Sequence, residues 1–166
     1  MKNVTWSSRF TKQMDAEVLE FSQSLNIDIV LFSSDIKVTI AHVDMLKSCG
    51  HITSTEKKKI ITGLKKVLVL AENGKLKWSV DFEDVHMNIE NALVSIIGDV
   101  GKKIHLGRSR NDLVATDLRL YLRDFIDLYI DQLRDIQFVL ATVALNHSDS
   151  LFPGFTHMQV AQPVTF

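Results

Sequence analysis

Apolar residues recur every three or four positions along most of the chain, and this spacing predicts amphipathic helices. The first helix is expected over residues 11–25, with most of its apolar side chains on one face. A second is expected from about Asp28 to Ser48, with Gly50 as its C-terminal stop. Its buried side is predicted to comprise Leu31, Phe32, Ile36, Ile40, Val43, Met45 and Leu46.

The next helix begins in a segment that can cap itself. Thr53 and Glu56 have the spacing of a capping box, in which each side chain accepts a hydrogen bond from the other residue's backbone N–H. This helix is expected to end at Asn73-Gly74. Because no aromatic residues are interleaved with its lysines, they are interpreted as a solvated face rather than a nucleic-acid patch: Lys57, Lys58, Lys59, Lys65 and Lys66.

A further helix opens in the acidic segment 81–90 and is predicted to end at Gly98. Its core stripe is expected to comprise Val85, Ile89, Leu93 and Ile96. Glu83, His86 and Glu90 share one helical face in this pattern, which is compatible with a metal site. The chain lacks the second Glu-x-x-His that a di-iron bundle needs, so no metal is predicted. A histidine paired with a nearby carboxylate is favoured, and a substrate-facing histidine is the third alternative.

The longest pattern runs from Leu113 to about Asn146 without glycine or proline. It would form roughly 50 Å of helix, whereas a compact globule of this size is about 40 Å across. We therefore expect this helix to extend beyond its own domain and to bind partner helices, for example by self-association. Its apolar stripe comprises Val114, Leu118, Tyr121, Phe125, Leu128 or Tyr129, Leu133, Ile136, Leu140 and Val143.

Directly before this helix lies a polar loop, Leu106–Asp112, with two guanidinium groups. Free backbone N–H groups at a helix N-terminus favour anions, and an arginine can bind a carboxylate through two parallel hydrogen bonds. The loop is therefore a candidate carboxylate or phosphate site, with Arg108 and Arg110 as the binding groups. The alternative is a solvated loop in which Asn111 or Asp112 is merely the N-cap.

The last segment, residues 151–166, combines turn formers with polar side chains. Pro153-Gly154 is predicted to form a turn. Thr156, His157, Gln159 and Gln162 follow as a polar cluster with one titratable imidazole. Because the pattern is still apolar at its last residues, we expect the chain to be the beginning of a longer polypeptide.

Composition narrows the function classes. The chain is 46% hydrophobic and 23% charged, with a net charge of −1, so no overall field favours nucleic acid or an anionic membrane as partner. Cys49 is the single cysteine, which excludes an internal disulfide and fits a reducing compartment. No apolar run approaches the roughly 20 residues of a membrane span, and residues 1–9 lack the apolar region of a signal peptide. A cytoplasmic protein is expected.

Three segments together resemble the signature of the argininosuccinate lyase family, within the fumarase/aspartase superfamily. They are Gly107–Asp112 with its continuation to Leu120, the Glu83-Asp84-Val85-His86 segment leading to Glu90, and Pro153–Gln159 with Ala161-Gln162-Pro163. Shorter matches occur at Trp6, Arg9-Phe10, Asp35-Ile36 and Ala41-His42. The resemblance extends over essentially the whole chain, in the family's order and spacing.

The resemblance implies an all-α fold, in which a small N-terminal helical domain (1–105) precedes the first long helix of a central bundle (106–166). It implies reversible β-elimination of argininosuccinate to arginine and fumarate, without a cofactor. His157 is then the acid/base histidine and His86 the second active-site histidine. The residues expected to bind substrate are Ser24, Arg108, Ser109, Arg110, Asn111, Thr156 and Gln159.

The family's active sites are assembled from several subunits of a homotetramer, and its members run far longer than 166 residues. Their Ser-Ser-x-Met-Pro-x-Lys loop, which supplies the other acid/base group, is absent here, so we expect the chain alone to be inactive. Leu106, Leu113 and Val160 stand where the family usually has polar residues. Two alternatives follow: a non-catalytic helical assembly module of the same fold, or a sister lyase that releases fumarate from another substrate.

Overall fold

The computed structural model describes residues 15–165, which fold mostly into helices, as the apolar pattern predicts. By its internal contacts the chain divides into two compact units, Met1–Tyr121 and Leu122–Phe166. The functional boundary predicted between residues 105 and 106 stays a prediction. Within residues 15–165, no helix combines the length and apolar character that a membrane crossing requires.

Six α-helices and one β-hairpin make up the regular structure of the described residues. The helices are α1 (Ala16–Ser22), α2 (Leu25–Asp28), α3 (Phe32–Ser48), α4 (Ser54–Glu72), α5 (Val85–Ile97) and α6 (Arg110–Asn146). Short 3-10 helices cover Ile29–Leu31, Val80–Phe82 and Asp99–His105. The hairpin pairs β1 (Leu151–Thr156) with β2 (Gln159–Thr165).

The single helix predicted over residues 11–25 is wrong in its C-terminal part, and residues 11–14 lie outside the described residues. Helix α1 ends at Ser22, and α2 starts separately at Leu25. The backbone N–H of Ser24 donates to the carbonyl oxygen of Glu83 at 2.8 Å, a contact distant in sequence that a helical pattern does not reveal. Phe21, on α1, is 91% exposed, so the apolar face predicted for this segment is not buried at that position.

The core of the first unit lies between α3, α4 and α5, and the side chains of Val43, Ile60, Leu64, Val85 and Leu93 are fully buried in it. Two predicted core positions are wrong: Met45 is 43% exposed and Ile96 is 37% exposed. Ile97 is buried instead of Ile96 because it follows Leu93 by one full i, i+4 step and shares its face of α5.

The predicted capping box at the start of α4 is confirmed. Glu56 Oε2 accepts from the backbone N–H of Thr53 at 2.8 Å, and Thr53 Oγ1 accepts from that of Glu56 at 3.1 Å. The Nζ of Lys103 donates to the other carboxylate oxygen, so Glu56 also ties the Asp99–His105 segment to α4. Hydrogen bonds from Lys103 and Thr53 lower the pKa of Glu56 to about 2. The helix ends at Glu72, where Asn73-Gly74 predicted it.

In the second unit, every residue of α6 after Tyr121 is exposed. The hairpin that follows is antiparallel, with Leu151 opposite Thr165 and Thr156 opposite Gln159. The turn predicted at Pro153-Gly154 is wrong, because both residues lie within β1, at an irregularity between Pro153 and Phe155. Such an irregularity accommodates a residue without a backbone N–H.

The chain reverses at His157 and Met158 instead, with φ angles of 49° and 63°. This is the pattern of a type I′ hairpin turn, which needs the left-handed conformation at both central positions and whose twist matches the flanking strands. Glycine and asparagine normally fill these positions. The sequence has histidine and methionine there, so it does not reveal the turn.

One close approach between α4 and α5 can be tested. A Cβ atom on Gly63 would lie 2.6 Å from Leu93 Cδ1 and 2.8 Å from Ile97 Cγ2. We expect Gly63→Val to lower the free energy of unfolding by about 1–3 kcal/mol through overpacking. Chemical denaturation followed by circular dichroism measures this. Thr62→Val, at the exposed neighbouring position, is the control and should change stability by less than about 0.5 kcal/mol; equal effects would contradict the close packing.

Candidate active site

The polar loop before α6 ends in a capping arrangement. Ser109 Oγ accepts from the backbone N–H of Asn111, and Asp112 Oδ2 accepts from that of Ser109, both at 3.2 Å. The N-cap is therefore Ser109 rather than Asn111 or Asp112, and α6 begins at Arg110, earlier than the apolar pattern indicates. Gly107, with a φ of 65°, provides the left-handed turn before the cap.

Both arginines of this loop contact side chains from earlier in the chain. Arg108 donates from one terminal nitrogen to Thr39 Oγ1 at 3.2 Å, and its Nε is buried without a partner among the described residues. Arg110 donates to Asp84 Oδ1 at 3.0 Å. That same oxygen accepts from the backbone N–H of Met87 and caps α5 at 2.7 Å. Arg110 therefore ties the start of α6 to the start of α5.

His86 lies on α5 and is 4% exposed. Its Nδ1 is hydrogen-bonded to Asp35 Oδ2 at 2.5 Å, across 51 residues of sequence, and lies 3.6 Å from Asp117 Oδ2. The expected face of Glu83, His86 and Glu90 is wrong, since Glu83 precedes α5 and has a φ of 64°. The favoured alternative, a histidine paired with a carboxylate, is what the structure has, with the partner on α3.

Charges around His86 change its affinity for a proton. Burial lowers the pKa of His86, but the hydrogen bond and charge of Asp35, with the charge of Asp84, outweigh it and raise the pKa above its ordinary value. Arg110 opposes that rise. Burial, together with the charge of Asp35, raises the pKa of Asp117 to about 7. Both oxygens of Asp117 are buried without a hydrogen-bond partner among the described residues.

Asp35, His86 and Asp117 also form a group of potential metal ligands, with their ligand atoms within 4.8 Å of one another. Two ligands of one tetrahedral zinc ion lie about 3.3 Å apart, given metal bonds near 2.0–2.1 Å. The 2.5 Å separation of His86 Nδ1 and Asp35 Oδ2 is shorter than that, so the two groups are bonded directly to each other by a hydrogen bond. The geometry is that of a hydrogen-bonded His86–Asp35 pair with the carboxylate of Asp117 close by.

Ser24 and Asn111, two further predicted substrate-binding residues, lie in different environments of the first unit. Ser24 donates from Oγ to Asp28 Oδ2 at 2.6 Å, and Asp28 Oδ1 accepts from the backbone N–H of Val85 at 3.1 Å. Ser24 therefore lies near the start of α5. Asn111 is exposed in the first turn of α6.

In the second unit, three predicted residues lie at the tip of the hairpin. Thr156 and Gln159 are the last pair of the ladder, and His157 is in the turn. All three are exposed. They belong to a different compact unit from Ser24, His86 and the loop before α6.

Sequence reasoning from spacing did not find Asp35, Thr39 and Asp117 as partners of the site. A signal exists for Asp117, which follows the buried Leu113 by one i, i+4 step and therefore shares its buried face of α6. A carboxylate on a buried face needs a partner, and that requirement points to a polar cluster. For Asp35, only the fold identifies the partner.

Residues 8–166 match the model of a protein family described as Lyase. The chain belongs to this lyase family, of the fumarase/aspartase superfamily.

The lyase chain is 47% identical over 164 residues to an argininosuccinate lyase of Ruthia magnifica subsp. Calyptogena magnifica, covering 99% of this chain and 34% of the relative. It is 48% identical over 165 residues to an argininosuccinate lyase of Bordetella avium, covering 99% and 35%. Among solved structures, EDDS lyase in complex with formate matches with a TM-score of 0.64 and 30% identity, covering 89% of this chain and 28% of that one. The lyase chain thus spans about a third of the length of these curated relatives.

The burial of Asp117 predicts a pH dependence of stability. The unfolded carboxyl titrates near its ordinary 3.8 and the folded one near 7, so between these values the folded chain holds one more proton. Stability therefore falls as pH rises from about 4 to 7, by at most about 4 kcal/mol. The raised pKa of His86 acts in the same direction, above its ordinary 6.5.

We expect Asp117→Asn to flatten this fall, because its amide does not ionise. Free energies of unfolding at pH 5 and pH 8 measure the effect, and Asp127→Asn, at an exposed position of α6, should retain the wild-type difference. An unchanged pH dependence in Asp117→Asn would show that the carboxyl does not titrate in this range.

Proposed function

We propose that this lyase chain is part of an argininosuccinate lyase subunit, which cleaves argininosuccinate reversibly into arginine and fumarate during arginine biosynthesis in the cytoplasm. The observation that supports this most directly is its 47–48% identity, over 99% of the chain, to curated proteins with that name. The proposal extends from these relatives to this chain, which spans about a third of their length.

The proposed reaction removes a proton next to a carboxylate and then breaks the C–N bond. Negative charge accumulates on that carboxylate before the amine leaves, so hydrogen-bond donors directed at it lower the barrier. The start of α6 is a source of such donors, because the first N–H groups of a helix have no carbonyl partner within it; that of Asn111 is bonded to Ser109 Oγ. Within the proposal, Asn111 and the loop arginines bind substrate carboxylates, and Ser24, Ser109, Thr156 and Gln159 complete the binding set.

His157 is the proposed acid/base group, with His86 as the second active-site histidine. The backbone at His157 supports a functional role, because a non-glycine residue in the left-handed region costs of order 1 kcal/mol or more and such strain clusters at active sites. The imidazole of a histidine exchanges protons near neutral pH, as elimination requires. The proposed chemistry requires no cofactor.

The main alternative is a sister lyase acting on another fumaryl substrate. The match to EDDS lyase, at 30% identity and a TM-score of 0.64, favours it, because the same fold is compatible with a different substrate. The second alternative is a non-catalytic module. The argument for it is that residues 106, 113 and 160 are apolar where the family usually has polar residues. Leu113 is buried in the first unit, so packing accounts for its apolar character and weakens that argument.

The decisive test joins residues 1–166 to the remaining two-thirds of the Bordetella avium relative. We expect this chimera to form fumarate from argininosuccinate, followed by ultraviolet absorbance, while the 166-residue chain alone forms none. His157→Ala in the chimera should lower kcat at least a hundredfold, since general acid–base catalysis contributes about 10²–10⁴-fold. The matched control, His147→Ala, changes an exposed histidine directly after the end of α6 and should retain activity.

Fumarate release from adenylosuccinate or ethylenediamine disuccinate, with none from argininosuccinate, would favour the sister lyase. A folded chimera without activity on any of these substrates would favour the non-catalytic module. Fumarate production by the 166-residue chain alone, abolished by His157→Ala, would contradict the need for the rest of the polypeptide.

Self-association, as a homotetramer in the complete enzyme, is part of the proposal. After Tyr121, α6 exposes large apolar side chains such as Phe125, Leu133 and Leu140 to solvent, and exposed apolar stripes of this extent mark interaction surfaces. We expect the chain to sediment as an oligomer at micromolar concentration, and Leu133→Asp to shift it toward monomer. Asp135→Asn should not, and a wild-type chain that is monodisperse and monomeric would contradict the prediction.

A further inference from the structure

We propose that Asp35 is a positioning residue for His86, fixing its ring orientation and its tautomer. The aspartate accepts the Nδ1 proton, so that Nε2 is left as the nitrogen available for proton exchange or hydrogen bonding. The relevance of this arrangement to catalysis rests on the proposed function, in which His86 is an active-site residue. The pairing itself rests on geometry alone.

The carboxylate of Asp35 is held at both of its oxygens. Oδ2 accepts from His86 Nδ1 at 2.5 Å, and Oδ1 accepts from Thr39 Oγ1 at 3.0 Å, one turn further along α3. Thr39 Oγ1 in turn accepts from the guanidinium of Arg108 at 3.2 Å. Each of Asp35, Thr39 and His86 is buried. These buried hydrogen bonds restrict the imidazole of His86 to one rotamer. Rotating the ring would break its hydrogen bond to Asp35 and leave a buried polar atom without a partner.

Asp117 approaches the same imidazole from α6, but its carboxylate differs from that of Asp35 in making no hydrogen bond to the ring. Its Oδ2 lies 3.6 Å from His86 Nδ1, too far for a hydrogen bond, and both of its oxygens lack partners among the described residues. Burial and the charge of Asp35 raise the pKa of Asp117, which disfavours a second negative charge beside the first. The ring therefore has one hydrogen-bonded carboxylate partner, Asp35.

Charged groups reach this cluster from each element around it. They are Asp35 on α3, Asp84 at the cap of α5, Arg108 in the loop, and Arg110 and Asp117 on α6. Asp35 alone among them makes a hydrogen bond to the ring. Removing its charge should therefore change His86 more than removing any other charge would.

The test is the protonation of His86, observed by NMR in the 166-residue chain with ¹⁵N-labelled histidine. In the wild type we expect the neutral ring to bear its proton on Nδ1. Asp35→Asn should lower the midpoint pH of the His86 titration by at least one unit, a tenfold change in proton affinity. Asp44→Asn, at an exposed position of the same helix, is the control and should leave the midpoint unchanged.

Thr39→Val provides a second variant should Asp35→Asn fail to fold. It removes the hydroxyl that holds Asp35 Oδ1 while keeping the side-chain shape, and should lower the midpoint in the same direction by a smaller amount. A wild-type ring protonated on Nε2, or midpoints unchanged in the folded variants, would overturn the proposal.

The chimera separates this proposal from the proposed function. There, Asp35→Asn should lower kcat and move the limb of the kcat–pH profile that reports His86 to lower pH, which a loss of packing alone would not do. If the NMR midpoints shift as expected and the chimera is inactive on all substrates, the pairing stands and the lyase assignment fails. If activity is present but the pH profile is unmoved, the positioning role fails.

Discussion

The first unit depends on a charge-assisted hydrogen bond inside its helical core. His86 and Asp35 are both removed from water, so each must find its partner within the protein or leave a buried group unsatisfied, at a cost of about 1–3 kcal/mol or more. The two residues belong to α5 and α3, and Asp117 reaches them from α6. Sliding any of these helices by one residue would break the arrangement and leave buried polar groups without partners. The polar cluster therefore specifies one register among the three helices.

The same constraint makes the site-bearing loop rigid rather than freely exposed. From the sequence alone, Arg108 and Arg110 are predicted to be two cations available to bind an anion. In the folded chain, Thr39 and Asp84 each accept a hydrogen bond from one terminal nitrogen of these guanidinium groups. A substrate carboxylate at the start of α6 would therefore meet side chains already anchored at one nitrogen and would use their other N–H donors, backbone N–H groups or Asn111. Arginines that the protein already holds in place lose less side-chain entropy when a ligand binds than free arginines would.

Local features of the fold were predictable because short segments determine them. The capping box at Thr53 and Glu56, the stop at Asn73-Gly74 and the apolar stripes of α3 to α5 follow from spacing over a few residues. Contacts between distant segments were not predictable from spacing: the pairing of His86 with Asp35 joins residues 51 positions apart. Likewise, the break between α1 and α2 depends on the carbonyl of Glu83, and the N-cap of α6 on side-chain geometry at Ser109. Of the candidate site, spacing could indicate which residue types are present, whereas their partners needed three-dimensional information.

The hairpin turn has a consequence for the local stability of the second unit. Asn-Gly at positions 157 and 158 would form the same turn with less strain, so His157 and Met158 carry a conformational cost at this turn. That cost falls on the residue with the proposed acid/base role and is readable from backbone angles, independently of any match to other proteins.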